Sequence, residues 1–242
     1  YSYMNYLSRD RAKHANSPDT GYGLTPAARA RKIAAIRSFY KYITSKAKLM
    51  DENPMQDLDS PRLKKALPHY LSLDESIQLL ESVDGENKER DYCILALFLN
   101  CGLRISELVG LNLTDIRNDQ LRVLGKGNKE RTVYLTDVAM LHLQTYLNSR
   151  TDNSIALFAG KGTPRLTKGG IETLLKRIGR AAGVENVHPH RFRRTLATNL
   201  LDRGMNIQDV AMILGHADLK TTQIYCYITQ TNVKSAYRKY AA

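Results

Sequence analysis

Four short segments of the 242-residue chain carry residue types that do chemistry. In Gly102-Leu103-Arg104-Ile105-Ser106-Glu107-Leu108 an arginine heads an otherwise apolar run, and a cation beside so much prospective core must find a partner. In His190-Arg191-Phe192-Arg193 a histidine and an arginine stand three apart, on one face of any helix that begins there. Leu214-Gly215-His216 sets another histidine just past an expected helix end, and Thr221-Thr222-Gln223-Ile224-Tyr225 brings a phenol nine residues later. Each has an ordinary reading by itself: a surface charge, a satisfied histidine, one of 14 tyrosines. As a set they are cations and one phenol.

Other chemistries are poorly served. His188-Pro189-His190 with His216 has no nearby Cys pair, no HExxH and no carboxylate at ligand spacing, so no metal is expected. Gly125-Lys126-Gly127-Asn128-Lys129 lacks the spacing of a phosphate-binding loop, and a strand is expected after it, so neither ATP nor another cofactor is called for. No G-x-S-x-G elbow is present, and Cys93 and Cys101 read as core of an apolar helix. The charge balance points to the partner. With 36 Lys+Arg against 24 Asp+Glu, a net charge of +12 suits a polyanion, above all nucleic acid. No apolar run approaches membrane-spanning length and no signal-peptide core opens the chain. Three Cys make no disulfide framework, so a reducing, cytoplasmic and nucleoid-associated setting is expected.

The order GLRISELVGL, GKGNKERTVYL, HRFRRTLAT and LGHADLKTTQIY resembles the tyrosine recombinases, most of all their Xer and related integrase branch, over about residues 68–232. The resemblance implies that Arg104 is the first active-site arginine and Lys126 the hairpin lysine, with Lys129 as runner-up. It makes His190 and Arg193 the His-x-x-Arg pair, His216 the following histidine and Tyr225 the nucleophile. Where the family often has His directly after the second arginine, this chain has Arg194.

The implied reaction is site-specific recombination of duplex DNA, serving integration, excision or dimer resolution without metal or ATP. A tyrosine oxygen attacks phosphorus, a 5′-hydroxyl leaves, and a 3′-phosphotyrosyl link holds the strand until it is rejoined. Planar, permanently charged guanidiniums suit the extra charge on the non-bridging oxygens. A lysine on a hairpin turn can protonate the departing oxygen. Which histidine takes the tyrosine proton stays open. The resemblance also implies a homo-oligomer on DNA, a ring of four joined by tail exchange, with Val233, Ala236, Tyr237 and Tyr240 on one face of a tail helix. Rival readings are type IB topoisomerase-like strand relaxation, a non-catalytic DNA-binding module, and a metal-dependent nuclease.

The elements that must position these residues are mostly helical. Thr25-Pro26 reads as an N-cap and first helical residue, followed by an apolar stripe of Ile33, Ile36, Phe39, Tyr40 and Ile43. Arg29, Arg31, Lys32, Arg37 and Lys41 fall largely off that stripe, as DNA-phosphate contacts would. Ser72 to Glu75 has capping-box spacing and opens a helix to about Val83. Further helices are predicted from Tyr92 to Leu99, from Ile105, over 136–148, 167–182, 193–203, 206–214, 221–227 and 233–240. Strands are expected over 121–124 and 131–135, joined by the Gly-rich turn. The fold class is thus mainly α with a small antiparallel β-sheet, arranged as a two-domain DNA clamp. Residues 1–62 form a helical core-DNA-binding domain, 63–70 a basic linker, and 71–242 an α+β catalytic domain with a tail helix. Residues 1–66 hold 13 Lys+Arg against 6 Asp+Glu, and linker residues Arg62, Lys64 and Lys65 add to the expected DNA grip. Tyr1 is no start methionine and the opening residues read as mid-helix, so an N-terminally incomplete domain is expected.

Overall fold

A computed structural model describes residues 2–11, 21–61, 69–125, 129–160, 162–216 and 218–226. The chain forms two units, Tyr1–Ala66 and Leu67–Ala242. Arg62, Lys64, Lys65, Lys126, Tyr227 and the tail helix expected over 233–240 lie outside the described residues.

In the first unit, α1 (Ser2–Asn5) runs into a single π-helical turn over Tyr6–Asp10. The buried Leu7 anchors it, its carbonyl accepting the Leu24 N–H at 2.8 Å. The main helix, α2 (Pro26–Ser45), starts as the sequence predicts: Thr25 accepts the Ala28 N–H and Pro26 fills the first position, where a missing N–H is harmless. Ile33 is wholly buried, but Phe39 is 59% exposed, as is Tyr42. Phe39 lies about a third of a turn from Ile33 around the helix, at the edge of the stripe rather than on it. Arg37 donates to the Leu58 carbonyl and to Ser60 Oγ, tying the following segment to α2.

The second unit carries the predicted capping box: Ser72 Oγ accepts the Glu75 N–H and Glu75 accepts the Ser72 N–H, opening α3 (Leu73–Glu81). Helix α4 (Lys88–Cys101) outruns its predicted span at both ends. It is buried along most of its length and packs on α6 (Asp137–Ser149) and α8 (Pro189–Asp202). Short α5 (Ile105–Gly110) leads through a 3-10 turn to a sheet ordered β1-β2-β3 and antiparallel throughout. Its strands are β1 (Ile116–Arg117), β2 (Gln120–Leu124) and β3 (Glu130–Tyr134). Leu121 pairs with Val133, and with Val123 these two face the core. Two-residue β1 is too short to show any alternation and escapes a sequence reading. Helices α7 (Lys168–Ala181), α9 (Ile207–Leu214) and α10 (Lys220–Cys226) complete the unit.

One boundary differs in a way that matters. Helix α8 begins at Pro189 rather than at Arg193, because proline serves as its first residue and His188 as its N-cap. His190 and Arg193 therefore share one helical turn. The opposite face of α8 is a clamp. Buried Arg191 donates to the Glu185 carbonyl, the Tyr70 carbonyl and both oxygens of Glu75, and Thr195 accepts the Leu71 N–H at 2.8 Å. Inward, Phe192 stacks on Phe98 with centroids 5.6 Å apart.

Burial raises the Glu75 carboxyl, but the Ser72 N–H and the bonds and charge of Arg191 outweigh it and hold it below the usual carboxylate value. A depressed carboxyl contributes stability above its unfolded pKa and loses it as pH falls through the folded one. Arg191→Met is expected to lower unfolding stability at pH 7 by about 2 kcal/mol, from denaturant melts. In Glu75→Gln, the acid loss of stability should be shallower than in the parent.

Candidate active site

Two helix ends supply the frame. Helix α4 stops at Gly102, whose φ of +56° is left-handed, and a Cβ there would sit 2.9 Å from both Leu196 Cδ2 and Leu214 Cδ2. Helix α9 stops the same way at Gly215, with φ +64°. Carbonyls at helix C-termini have unused lone pairs and carry the negative end of the dipole. Guanidiniums fill them here. Arg193 donates to the Gly102 carbonyl at 2.7 Å and to the Leu214 carbonyl, while Arg104, the N-cap of α5, donates to the Gly215 carbonyl at 3.0 Å.

Between these arginines lies a residue that the sequence reading did not single out. Glu107 is only 3% exposed. Its Oε2 accepts the Arg104 N–H at 2.8 Å and its Oε1 the Arg104 Nη1 at 2.6 Å. Arg131 of β3 grips the same carboxylate from the other side, at 2.7 and 3.1 Å. Burial raises the Glu107 carboxyl, but the Arg131 and Arg104 bonds more than offset it, so it stays ionised. Both residues left a signal. Glu107 has the N3 spacing from which an acid reaches back to an N-cap N–H, and Arg131 shares Val133's inward strand face.

Histidine and phenol complete the cluster. His216 follows the Gly215 turn, its N–H bonded to the Ala211 carbonyl at 2.9 Å. Its Nδ1 is 2.7 Å from Thr222 Oγ1 on α10, which leaves Nε2 for any substrate. The Tyr225 ring stacks beside it, centroids 6.4 Å apart, and is 8% exposed against a small second core of Ala197, Leu201, Val210 and Leu214. His190 stands exposed on the first turn of α8. Its pKa is lowered by burial and by Arg194, Arg193 and Arg104.

Arg104, Arg193, His216 and Tyr225 are thus brought together, with His190 within the field of both arginines. Burial and the neighbouring Arg104 bring Arg193 down to about 10, which leaves it charged at neutral pH. Three guanidiniums against one carboxylate make a largely dehydrated site that attracts an anion. The hairpin of the expected Lys126 is closed at its base by the Gly125 N–H donating to the Lys129 carbonyl at 2.8 Å. Lys129 itself is exposed. In the other unit, Arg31 and Lys41 are exposed on α2, Arg29 and Lys32 are half-buried, and Arg37 is occupied by its own chain. Among the described residues no group of three His, Cys, Asp or Glu could hold a metal ion. Burial pushes the Cys93 and Cys101 thiols up, Cys101 to about 12, so neither offers a thiolate.

Burial first, then Arg193, Arg104 and Arg131, push His216 down to about 4. The folded state therefore refuses a proton that the unfolded state accepts near pH 6.5. Stability should be full above that value, fall as pH drops toward about 4, and level off below. Nitrogen-15 NMR should find this ring neutral at pH 5 in the free protein, and His216→Gln should flatten the stability curve across that window. At Gly215 a Cβ would meet Arg131 Cδ at 2.8 Å. Gly215→Ala should cost at least about 1 kcal/mol in denaturant melts, from the left-handed backbone alone.

Comparisons with known proteins agree with this arrangement. The family described as the phage integrase family matches residues 69–231. The chain is 41% identical to the tyrosine recombinase XerC of Caldanaerobacter subterraneus subsp. tengcongensis, over 99% of this chain and 67% of that protein. It is 31% identical to the tyrosine recombinase XerD of Staphylococcus haemolyticus, over 99% and 84%. A crystal structure of XerA recombinase superposes with a TM-score of 0.64 at 27% identity, covering 100% of this chain and 81% of that one. XerH in a post-cleavage complex with its palindromic difH substrate shares the fold at TM-score 0.73 and 23% identity, over 90% and 69%. The chain belongs to the phage integrase family, as a tyrosine recombinase of the Xer type.

Proposed function

We propose that Tyr225 is the nucleophile of a site-specific DNA strand exchange and that Arg104 and Arg193 clamp the scissile phosphate. The observation that carries this reading is the convergence of Arg104, Arg193, His216 and Tyr225 from four separate elements, with His216 stacked beside Tyr225. The Tyr225 oxygen attacks phosphorus and its proton passes to a neighbouring base, for which exposed His190 is neutral and available. His216, neutral and oriented by Thr222, donates from Nε2 to a non-bridging oxygen. The two guanidiniums take the charge that grows on that phosphate, in a site where few waters compete. Lys126 delivers the proton to the departing 5′-oxygen, and Lys129 is the alternative donor. The phosphotyrosyl bond keeps the energy of the cleaved linkage, so rejoining needs no ATP.

In this reading residues 71–242 are the catalytic domain, 63–70 the linker and 1–62 a helical DNA-gripping domain, together a clamp on duplex DNA. Exposed Arg31 and Lys41 of α2, flanked by exposed Phe39 and Tyr42, supply phosphate and stacking contacts, with Arg62, Lys64 and Lys65 beside them in the chain. Four protomers act together on two sites, each tail over 233–240 docking on its neighbour in a cyclic head-to-tail ring.

With a suicide duplex nicked beside the cleavage point, the protein should form a covalent adduct that survives denaturation and EDTA. Tyr225→Phe should abolish it; an adduct persisting in that variant removes Tyr225 from the role. A substrate with a 5′-thiol leaving group should rescue cleavage in whichever of Lys126→Ala or Lys129→Ala removes the general acid. Arg31→Ala with Lys41→Ala should weaken binding and lower the salt slope by about 2, without slowing cleavage of saturated complex.

A further inference from the structure

Arg131 lies outside the catalytic set that the motifs mark, yet it touches every part of the frame around that set. Its guanidinium forks onto both oxygens of Glu107, at 2.7 and 3.1 Å, and its Nε donates to the Ile213 carbonyl at 3.3 Å. Its stem passes so close to Gly215 that no side chain fits there. Gly215 in turn presents its carbonyl to Arg104 and its chain to His216. Arg131 also roots the strand that returns from the Gly-rich hairpin, two residues past the Lys129 carbonyl that closes its base.

We propose that Arg131 is a positioning residue that shares the Glu107 carboxylate and so keeps Arg104 free to hold the scissile phosphate. This rests on the reading of Arg104 as a phosphate clamp. The physical reason is charge. One buried carboxylate facing one arginine would form a neutral pair, and Arg104 would meet the phosphate with its charge already spent on Glu107. With Arg131 on the other side, two guanidiniums divide one negative charge and the excess faces the substrate. The bidentate fork also fixes the carboxylate plane, and with it the Arg104 side chain, to within the tolerance that phosphoryl chemistry requires.

The test is single-turnover cleavage of a saturating suicide duplex by folded full-length variants, checked by thermal melting. Arg131→Gln should cleave about 100-fold more slowly while its DNA affinity stays within about 3-fold. Arg131→Lys, which keeps the charge and loses the fork, should recover part of the loss. Combining Arg131→Gln with Glu107→Gln should be no slower than the worse single variant, because both act through one contact. On a methylphosphonate substrate, whose scissile group carries no charge for Arg104 to hold, the Arg131→Gln deficit should shrink. A general folding defect would slow both substrates alike. Wild-type cleavage by Arg131→Gln, a loss confined to DNA affinity, multiplying losses in the double variant, or an equal deficit on both substrates overturns the proposal. Wild-type cleavage by Arg104→Ala would instead overturn the reading of Arg104 as the clamp.

Discussion

A carboxylate taken almost wholly out of water must be paired, and Glu107 is paired twice. That constraint organises the rest of the site. Three guanidiniums packed against buried carbonyls would repel one another in a medium of low dielectric. One acid at their centre lowers that repulsion without cancelling it, and the remainder is the positive field that a phosphodiester meets. The same field keeps His216 and His190 neutral, so they exchange protons and hydrogen bonds with a substrate instead of adding charge to it.

The arginines are held by backbone as much as by the acid. Helices α4 and α9 end in left-handed glycines, and the carbonyls they expose accept from Arg193 and Arg104. Each guanidinium thereby loses rotamer freedom during folding rather than at the moment of reaction, which is what preorganisation means here. The frame lies between two cores: a large one around α4, and a small one that holds Tyr225. Helix α8 belongs to both, packing Phe192 inward while Arg191 clamps the entering chain at Tyr70 and Glu75.

Much of this was legible in the sequence, for local reasons. Capping chemistry marks Thr25, Ser72, Thr136 and Thr167 as helix starts, and glycines mark the ends at positions 102 and 215. Alternation marks β2 and β3. The misses have equally local causes. Pro189 starts α8 before any apolar periodicity appears, and β1 is too short to alternate. In α2 the apolar spacing of Phe39 is right for a helix, but its angle leaves it at the stripe's edge, exposed.

By itself the sequence determined which residue types are present, their order along the chain, and the helices and strands that carry them, since those depend on neighbours a few positions apart. Motif order was enough to nominate Arg104, His190, Arg193, His216 and Tyr225. What it could not decide is which charges neutralise which. Glu107 lies 24 positions from Arg131, and the Gly215 carbonyl 111 from Arg104, so their pairing exists only once α5, β3 and the end of α9 have packed together. Burial then sets the outcome. In water those charges would be screened and interchangeable, whereas in the packed site each has one partner, and the unspent positive charge is left where the substrate binds.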